Sequence, residues 1–131
     1  STNYVYPGKE GPYNENDILI PMNNYGWSKL GGESAVQMYK NALILRLCMT
    51  EKPFVHQYAF SNVTTNFMFH DDFAKVFHKL INKKGVINVG GKRQTVFNFV
   101  KSHKKKVKKK ISKDSSLDHS IDIKKYKKII G

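Results

Sequence analysis

The sequence predicts an α/β fold with a parallel sheet, and three observations predict it. Residues 42–48 (Ala-Leu-Ile-Leu-Arg-Leu-Cys) form a nearly continuous apolar run of strand length, as expected for a strand buried on both faces. Residues 85–91 (Gly-Val-Ile-Asn-Val-Gly-Gly) repeat that pattern and stop at two glycines. Between them Phe73, Val76, Phe77, Leu80 and Ile81 recur at spacings of three and four, the period of a helix with one apolar face. Strands alternating with helices favour a parallel sheet with helical crossovers.

Taken in order, residues 1–6 read as the end of a strand running into a loop punctuated by Pro7, Gly8, Gly11 and Pro12. The chain is thus expected to open inside an element. Asn23 or Asn24 can cap a helix from Tyr25 to about Lys40. Gly31 and Gly32 cost that helix about 1 kcal/mol each relative to Ala, which makes sense if something packs closely against them. Residues 49–69 carry Pro53, five aromatics and a polar segment, and fit either a short hairpin or a binding loop. Asp71 and Asp72 at the start, and Lys83 and Lys84 at the end, suit the dipole of the helix over 71–82. Thr95 can cap a last long helix, with Val96, Phe97, Phe99 and Val100 inward, that continues into the lysine tract. Residues 115–131, with Leu117, Ile121, Ile123, Tyr126 and Ile129 among lysines, suit a short docking helix.

At 131 residues the chain can bury one modest core. Mean hydropathy is −0.52, and no apolar run approaches the roughly 20 residues of a membrane helix. The single Cys48 and the lack of a signal-like start favour a reducing, cytoplasmic setting. Net charge is +13, but residues 1–100 hold 11 Lys and Arg against 7 acids, whereas 101–131 hold 12 against 3. The excess sits in the tail. The run from His103 to Lys110 contains no interleaved aromatics, so it reads as a solvated helix face, with nucleic acid bound through it only non-specifically.

Tyr25 and Lys29 lie four residues apart on the first helix, so both project from one face. An ammonium beside a phenol, together with the positive helix N-terminus, favours the ionised tyrosine and suits it to proton transfer. The pair alone is weak: with 7 Tyr and 21 Lys, about one Tyr-x-x-x-Lys arises by chance, and one is found. Its surroundings are more specific. Ser1-Thr2-Asn3-Tyr4-Val5-Tyr6-Pro7-Gly8, Gly11-Pro12-Tyr13, Pro21 to Glu33, Ile44-Leu45-Arg46, Asp71-Asp72-Phe73-Ala74 and Asn88-Val89-Gly90-Gly91 follow one another in a familiar order. Over residues 1–102 the chain resembles the extended short-chain dehydrogenases, and within them the dTDP-4-dehydrorhamnose reductase group.

The resemblance implies reduction of the 4-keto group of a nucleotide-linked 6-deoxy sugar by NADPH or NADH. Thr2 would hydrogen-bond the substrate carbonyl, with Ser1 an adjacent candidate. Tyr25 would donate the proton, and Lys29 would lower its pKa and hold the nicotinamide ribose. The Thr64-Thr65-Asn66 region would lie near the substrate. There are departures. No Gly-x-x-Gly-x-x-Gly or Gly-x-Gly-x-x-Gly occurs, so the pyrophosphate turn is missing. Asn3 stands where the family has an acid. The expected architecture is therefore a partial Rossmann-like fold lacking the amino-terminal dinucleotide-binding half. Residues 1–102 would be the catalytic-motif half and 103–131 a lysine-rich tail or helix. Activity would need an amino-terminal half from further chain or a partner, and the open edge favours a homo-oligomer.

Two other functions compete: a non-catalytic interaction or regulatory fragment of the same fold, and a polyanion-binding protein using residues 101–113. The five histidines lack metal-ligand spacing. Cys48 reads as a small core residue. Phe73, Phe77, Phe97 and Phe99 fall on inward helix positions.

Overall fold

A computed structural model describes residues 1–114 and 117–131. Thr2 caps a 3-10 turn at Asn3–Val5 instead of ending a strand, because its Oγ1 accepts from the Tyr4 amide. Thr2 still forms an isolated parallel bridge to Leu47. The helix α1 (Asn24–Val36) starts at Asn23, whose side chain accepts from the Gly26 amide, and ends four residues short of Lys40. Then come the strands β1 (Leu43–Leu47), β2 (Met49–Thr50), β3 (Tyr58–Phe60), β4 (Val63–Thr65) and β5 (Met68–Phe69). The helix α2 (His70–Phe77) leads to β6 (Gly85–Val89) and β7 (Gln94–Thr95). The helix α3 (Val96–His103), capped by Thr95, precedes β8 (Lys108–Lys110), β9 (Leu117–Asp118) and α4 (Lys124–Ile130). Ser115 and Ser116, the start of the expected docking segment, lie outside the described residues.

Parallel pairing dominates. β1 pairs with β6 from Leu43↔Gly85 to Leu47↔Val89. β2 pairs with β5 and β3 with β8, both parallel, while β4 is antiparallel to β7 and parallel to β9. The undecided stretch 49–69 is thus a set of short strands. Among the described residues no helix is long and apolar enough to cross a membrane.

Three apolar clusters hold these pieces. Val5, Tyr6, Cys48 and Ile121 pack under the opening turn. Leu80, Ile87, Val89 and Tyr126 join α4 to the β1–β6 pair. Ala59, Val63, Phe69, Val96, Phe99 and Val100 form the third, around α3. Cys48 lies in the first cluster as expected, and burial pushes its thiol up to about 11. Phe77 is 41% exposed and Ile81 57%, because α2 ends at Phe77 and the following turns bury Leu80 instead. At Gly90 an added Cβ would lie 2.8 Å from the Asn66 carbonyl, so the glycines that end β6 admit a crossing backbone.

α1 packs against the rest of the chain through Gly26, Leu30 and Glu33, spaced four and three apart, with the Tyr25 ring meeting Tyr4 at one side. A side chain at Gly26 would strike the Tyr4 carbonyl. Gly31 and Gly32, expected to face a close neighbour, have nothing within 4 Å of an added Cβ among the described residues. Trp27 and Val36 stay exposed.

Glu33 and Arg46 of β1 are 3% and 2% exposed and form a two-pronged ion pair: Arg46 Nε donates to Oε1 and Nη2 to Oε2, each at 2.9 Å. Arg46 Nη1 donates to the Tyr6 hydroxyl (2.8 Å), which donates to Asn88 Oδ1 (2.8 Å). Asn88 Nδ2 donates to the Tyr13 carbonyl, and the Asn88 amide to the Glu15 carboxylate. Burial opposes ionisation of Glu33, but the Arg46 hydrogen bonds and charge outweigh it, and its pKa lies below 4.5.

The pair generates two expectations. Glu33→Gln leaves an uncompensated buried guanidinium and should cost about 3 kcal/mol or more in urea unfolding. A group with a lowered folded pKa stabilises above its unfolded value and loses that contribution as pH falls through the folded one. Wild-type stability should therefore decline as pH drops below 4.5, and Glu33→Gln should flatten that part of the profile.

Candidate functional site

The first turns of α1 bring Tyr25 and Lys29 together. Lys29 Nζ lies 5.6 Å from the Tyr25 ring centroid, as the i,i+4 spacing requires. Tyr25 is 51% exposed, so its phenol can meet a ligand from solvent. It also sits at the positive end of a thirteen-residue helix.

Beside this pair lies the Asn3–Val5 turn. The Tyr4 ring meets Tyr25 edge-on at 6.3 Å (84°) and His119 at 6.3 Å (86°). Burial raises the Tyr4 phenol above its usual pKa and lowers that of the His119 imidazole, leaving both neutral at pH 7. His119 lines an open cleft of about 690 Å³ with Pro7, Gly8, Pro21, Met22 and Leu117. Tyr4 thus links the exposed Tyr25 to a neighbouring cleft by two edge contacts.

Thr2 is placed differently from the other two candidates. It is buried, and its Oγ1 accepts from the Tyr4 amide (3.3 Å) and donates to Asn3 Oδ1 (3.4 Å). Asn3 Nδ2 in turn donates to the His119 carbonyl at 3.2 Å. An acid at position 3 would set an oxygen against that carbonyl, which gives the Asn3 departure a local reason. The Thr2 hydroxyl is therefore engaged within the turn that supports Tyr25, while Tyr25 and Lys29 face outward.

Thr65 and Asn66 are each 1% exposed. Thr65 Oγ1 meets Cys48 Sγ at 3.3 Å, and Asn66 clamps residue 121, donating to its carbonyl (2.9 Å) and accepting from its amide (3.1 Å). Asn66 thus secures the carboxyl-terminal segment, and it also lines an open cleft of about 550 Å³ with Pro12, Gly90, Arg93 and Ile121, while the Thr65 hydroxyl is engaged with Cys48. Among the described residues no cluster of three His, Cys, Asp or Glu could hold a metal ion.

Residue types alone did not reveal the network behind the site. Glu33 reads as part of a polar helix face, yet it is the buried partner of Arg46. The usable signal was Arg46 itself, a charge inside an apolar strand that demands a carboxylate. Asp118 is a second example: it accepts from Ser120 Oγ (2.6 Å) and the Ser120 amide and pairs with Arg93, and these bonds lower its pKa against burial.

Comparison with known proteins places this geometry in a family. Residues 1–89 match the family model described as RmlD substrate binding domain. Over 48 residues, 36% of this chain and 15% of the relative, the sequence is 46% identical to methionine adenosyltransferase 2 subunit beta of Danio rerio. The fold is similar to a hypothetical dTDP-4-dehydrorhamnose reductase from Sulfolobus tokodaii, with TM-score 0.81 and 27% identity, covering 98% of this chain and 56% of that one. It is also similar to a dTDP-4-dehydrorhamnose reductase from Bacillus anthracis in complex with NADP, with TM-score 0.77 and 21% identity, covering 97% and 57%. The chain spans about half the length of these solved structures. Matching that model over residues 1–89, and with an α/β fold like that of these structures, the chain belongs to the RmlD substrate binding domain family.

Proposed function

We propose that this chain is the catalytic-motif half of a reductase that uses NADPH or NADH to reduce the 4-keto group of a nucleotide-linked 6-deoxy sugar. The observation that carries the reading is the pairing of half-exposed Tyr25 with Lys29 at the start of α1, within residues that match the family. Tyr25 donates a proton to the developing alkoxide, which needs a phenol within hydrogen-bond reach of the carbonyl oxygen. Lys29 Nζ, 5.6 Å from the Tyr25 ring centroid, and the helix N-terminus set positive charge beside the group that makes this donation. Thr2 orients the carbonyl, after turning its hydroxyl from Asn3 toward the ligand.

The residues present fit one end of the coenzyme. Lys29 is exposed beside Tyr25 and can hold the ribose next to the nicotinamide, which when bound supplies the hydride. The glycine turn for the pyrophosphate is not among these 131 residues, so coenzyme binding draws on an amino-terminal half. In this reading residues 1–102 carry the catalytic motifs, 103–131 form the basic carboxyl-terminal segment, and the protein works as a homo-oligomer in the cytoplasm.

A second reading, a non-catalytic interaction module, is favoured by the likeness to a subunit of methionine adenosyltransferase. One experiment separates the two. Mixed with a matching amino-terminal half, NADPH and a dTDP-4-keto-6-deoxy sugar, the chain should turn over substrate. Tyr25→Phe should lower kcat about 100-fold, the scale of a lost general acid. Turnover unchanged by Tyr25→Phe, or none in the complete mixture, contradicts the reductase reading.

A further inference from the structure

The lysine tract stays exposed, but Lys108–Lys110 form a strand where the sequence predicts a solvated helix face. α3 ends at His103, Val107 tucks against the Phe69–Phe99 cluster, and β8 pairs in parallel with β3, fifty residues earlier. Lys104 Nζ donates to the Phe54 and His56 carbonyls, each at 3.2 Å, and fixes the chain ahead of β3. This pairing supplies the aromatic partners that the tract itself lacks.

Positions 54, 56, 58 and 60 are Phe, His, Tyr and Phe, an aromatic ring at every second residue. Within β3 period two puts Tyr58 and Phe60 on one face. All four residues line one open cavity of about 550 Å³, together with Val55, Gln57 and Lys110. Phe54 and His56 meet edge-on at 5.3 Å. Across the pair, Tyr58 faces Lys108 and Phe60 faces Lys110, with the ammonium groups 6.0 and 5.7 Å from the ring centroids. Tyr58 is 50% exposed, so much of its surface stays open. Residues 101–113 hold eight lysines and no acid.

We infer that the β3–β8 ribbon is a binding surface for single-stranded nucleic acid. Its two features answer the two parts of such a strand. The half-exposed Tyr58 ring, with His56 and Phe60 on either side of it, offers a face on which a base can stack, whichever base it is. The lysines directly opposite offer point charges to the phosphates, a stronger partner for an ammonium than a ring face. A duplex keeps its bases stacked inside and can use only the lysines. An acidic peptide adding to the open edge of β8 is disfavoured, because lysines along an edge are a device that keeps further strands away. Such recognition is tolerant of sequence, because every base has a face to stack.

The test is fluorescence anisotropy of the 131-residue chain with labelled oligothymidine of about 12 nucleotides, the site size of such platforms. At about 50 mM salt the single strand should bind at least tenfold more tightly than a duplex of the same length. Tyr58→Ala should weaken it about tenfold. Tyr58→Leu keeps the bulk but removes the π face and should weaken it similarly, whereas Tyr58→Trp should retain it. Lys108→Ser with Lys110→Ser should lower the salt slope by about 1.4 for two lost phosphate contacts. Equal or tighter binding of the duplex overturns the inference, as does affinity unchanged in Tyr58→Leu. So does tighter binding of phosphatidylserine vesicles or polyglutamate than of the oligonucleotide.

Discussion

The ion pair between Glu33 and Arg46 is the constraint on which the arrangement of α1 depends. Besides the edge of the Tyr25 ring, α1 presents to the rest of the chain one buried carboxylate, one half-buried leucine and one glycine. Its other apolar side chains, Trp27 and Val36, lie outside any core of this chain. A helix with so little apolar contact is held by directional bonds more than by burial. Two parallel N–H···O bonds fix both its rotation and its height on β1, which a single apolar contact would not. Since Tyr25 and Lys29 are carried by the same rigid helix, their placement follows from that pair.

The network extends the constraint to the opening and closing segments of the chain. Arg46 reaches Tyr6, Tyr6 reaches Asn88 of β6, and Asn88 reaches the Tyr13 carbonyl. The Tyr6 and Tyr13 rings stack at 5.3 Å. From the other side Asn66 holds Ile121, and Asn3 holds the His119 carbonyl. The last residues of the chain therefore help to fix the turn on which Thr2 and Tyr4 sit. The buried side chains of Glu33, Arg46, Tyr6 and Asn88 all have hydrogen-bond partners, which makes such a network rigid rather than costly.

Local signals in the sequence located the elements they govern. The apolar runs became β1 and β6, Asn23 and Thr95 cap α1 and α3, and Asp71 and Asp72 open α2. The four-residue spacing of Tyr25 and Lys29 gave their proximity directly. Features set by distant partners were not legible. Lysines have little strand preference, and β8 exists because Val107 and Lys104 anchor it against residues about fifty positions away. The inward role of Glu33 depends on Arg46, which lies beyond the end of its own helix. Thr2 was readable as a hydroxyl near the site, but its bonds to Tyr4 and Asn3 required the turn to be seen.

Hydrogen exchange of the α1 amides in wild type and Glu33→Gln tests the central role of the ion pair most directly. The account predicts that protection over residues 27–36 collapses in the variant while the amides of β6 and α3 keep most of theirs, because those elements are secured by apolar clusters that Glu33 does not touch. Unchanged protection along α1 would contradict it, and so would a uniform loss across all three elements.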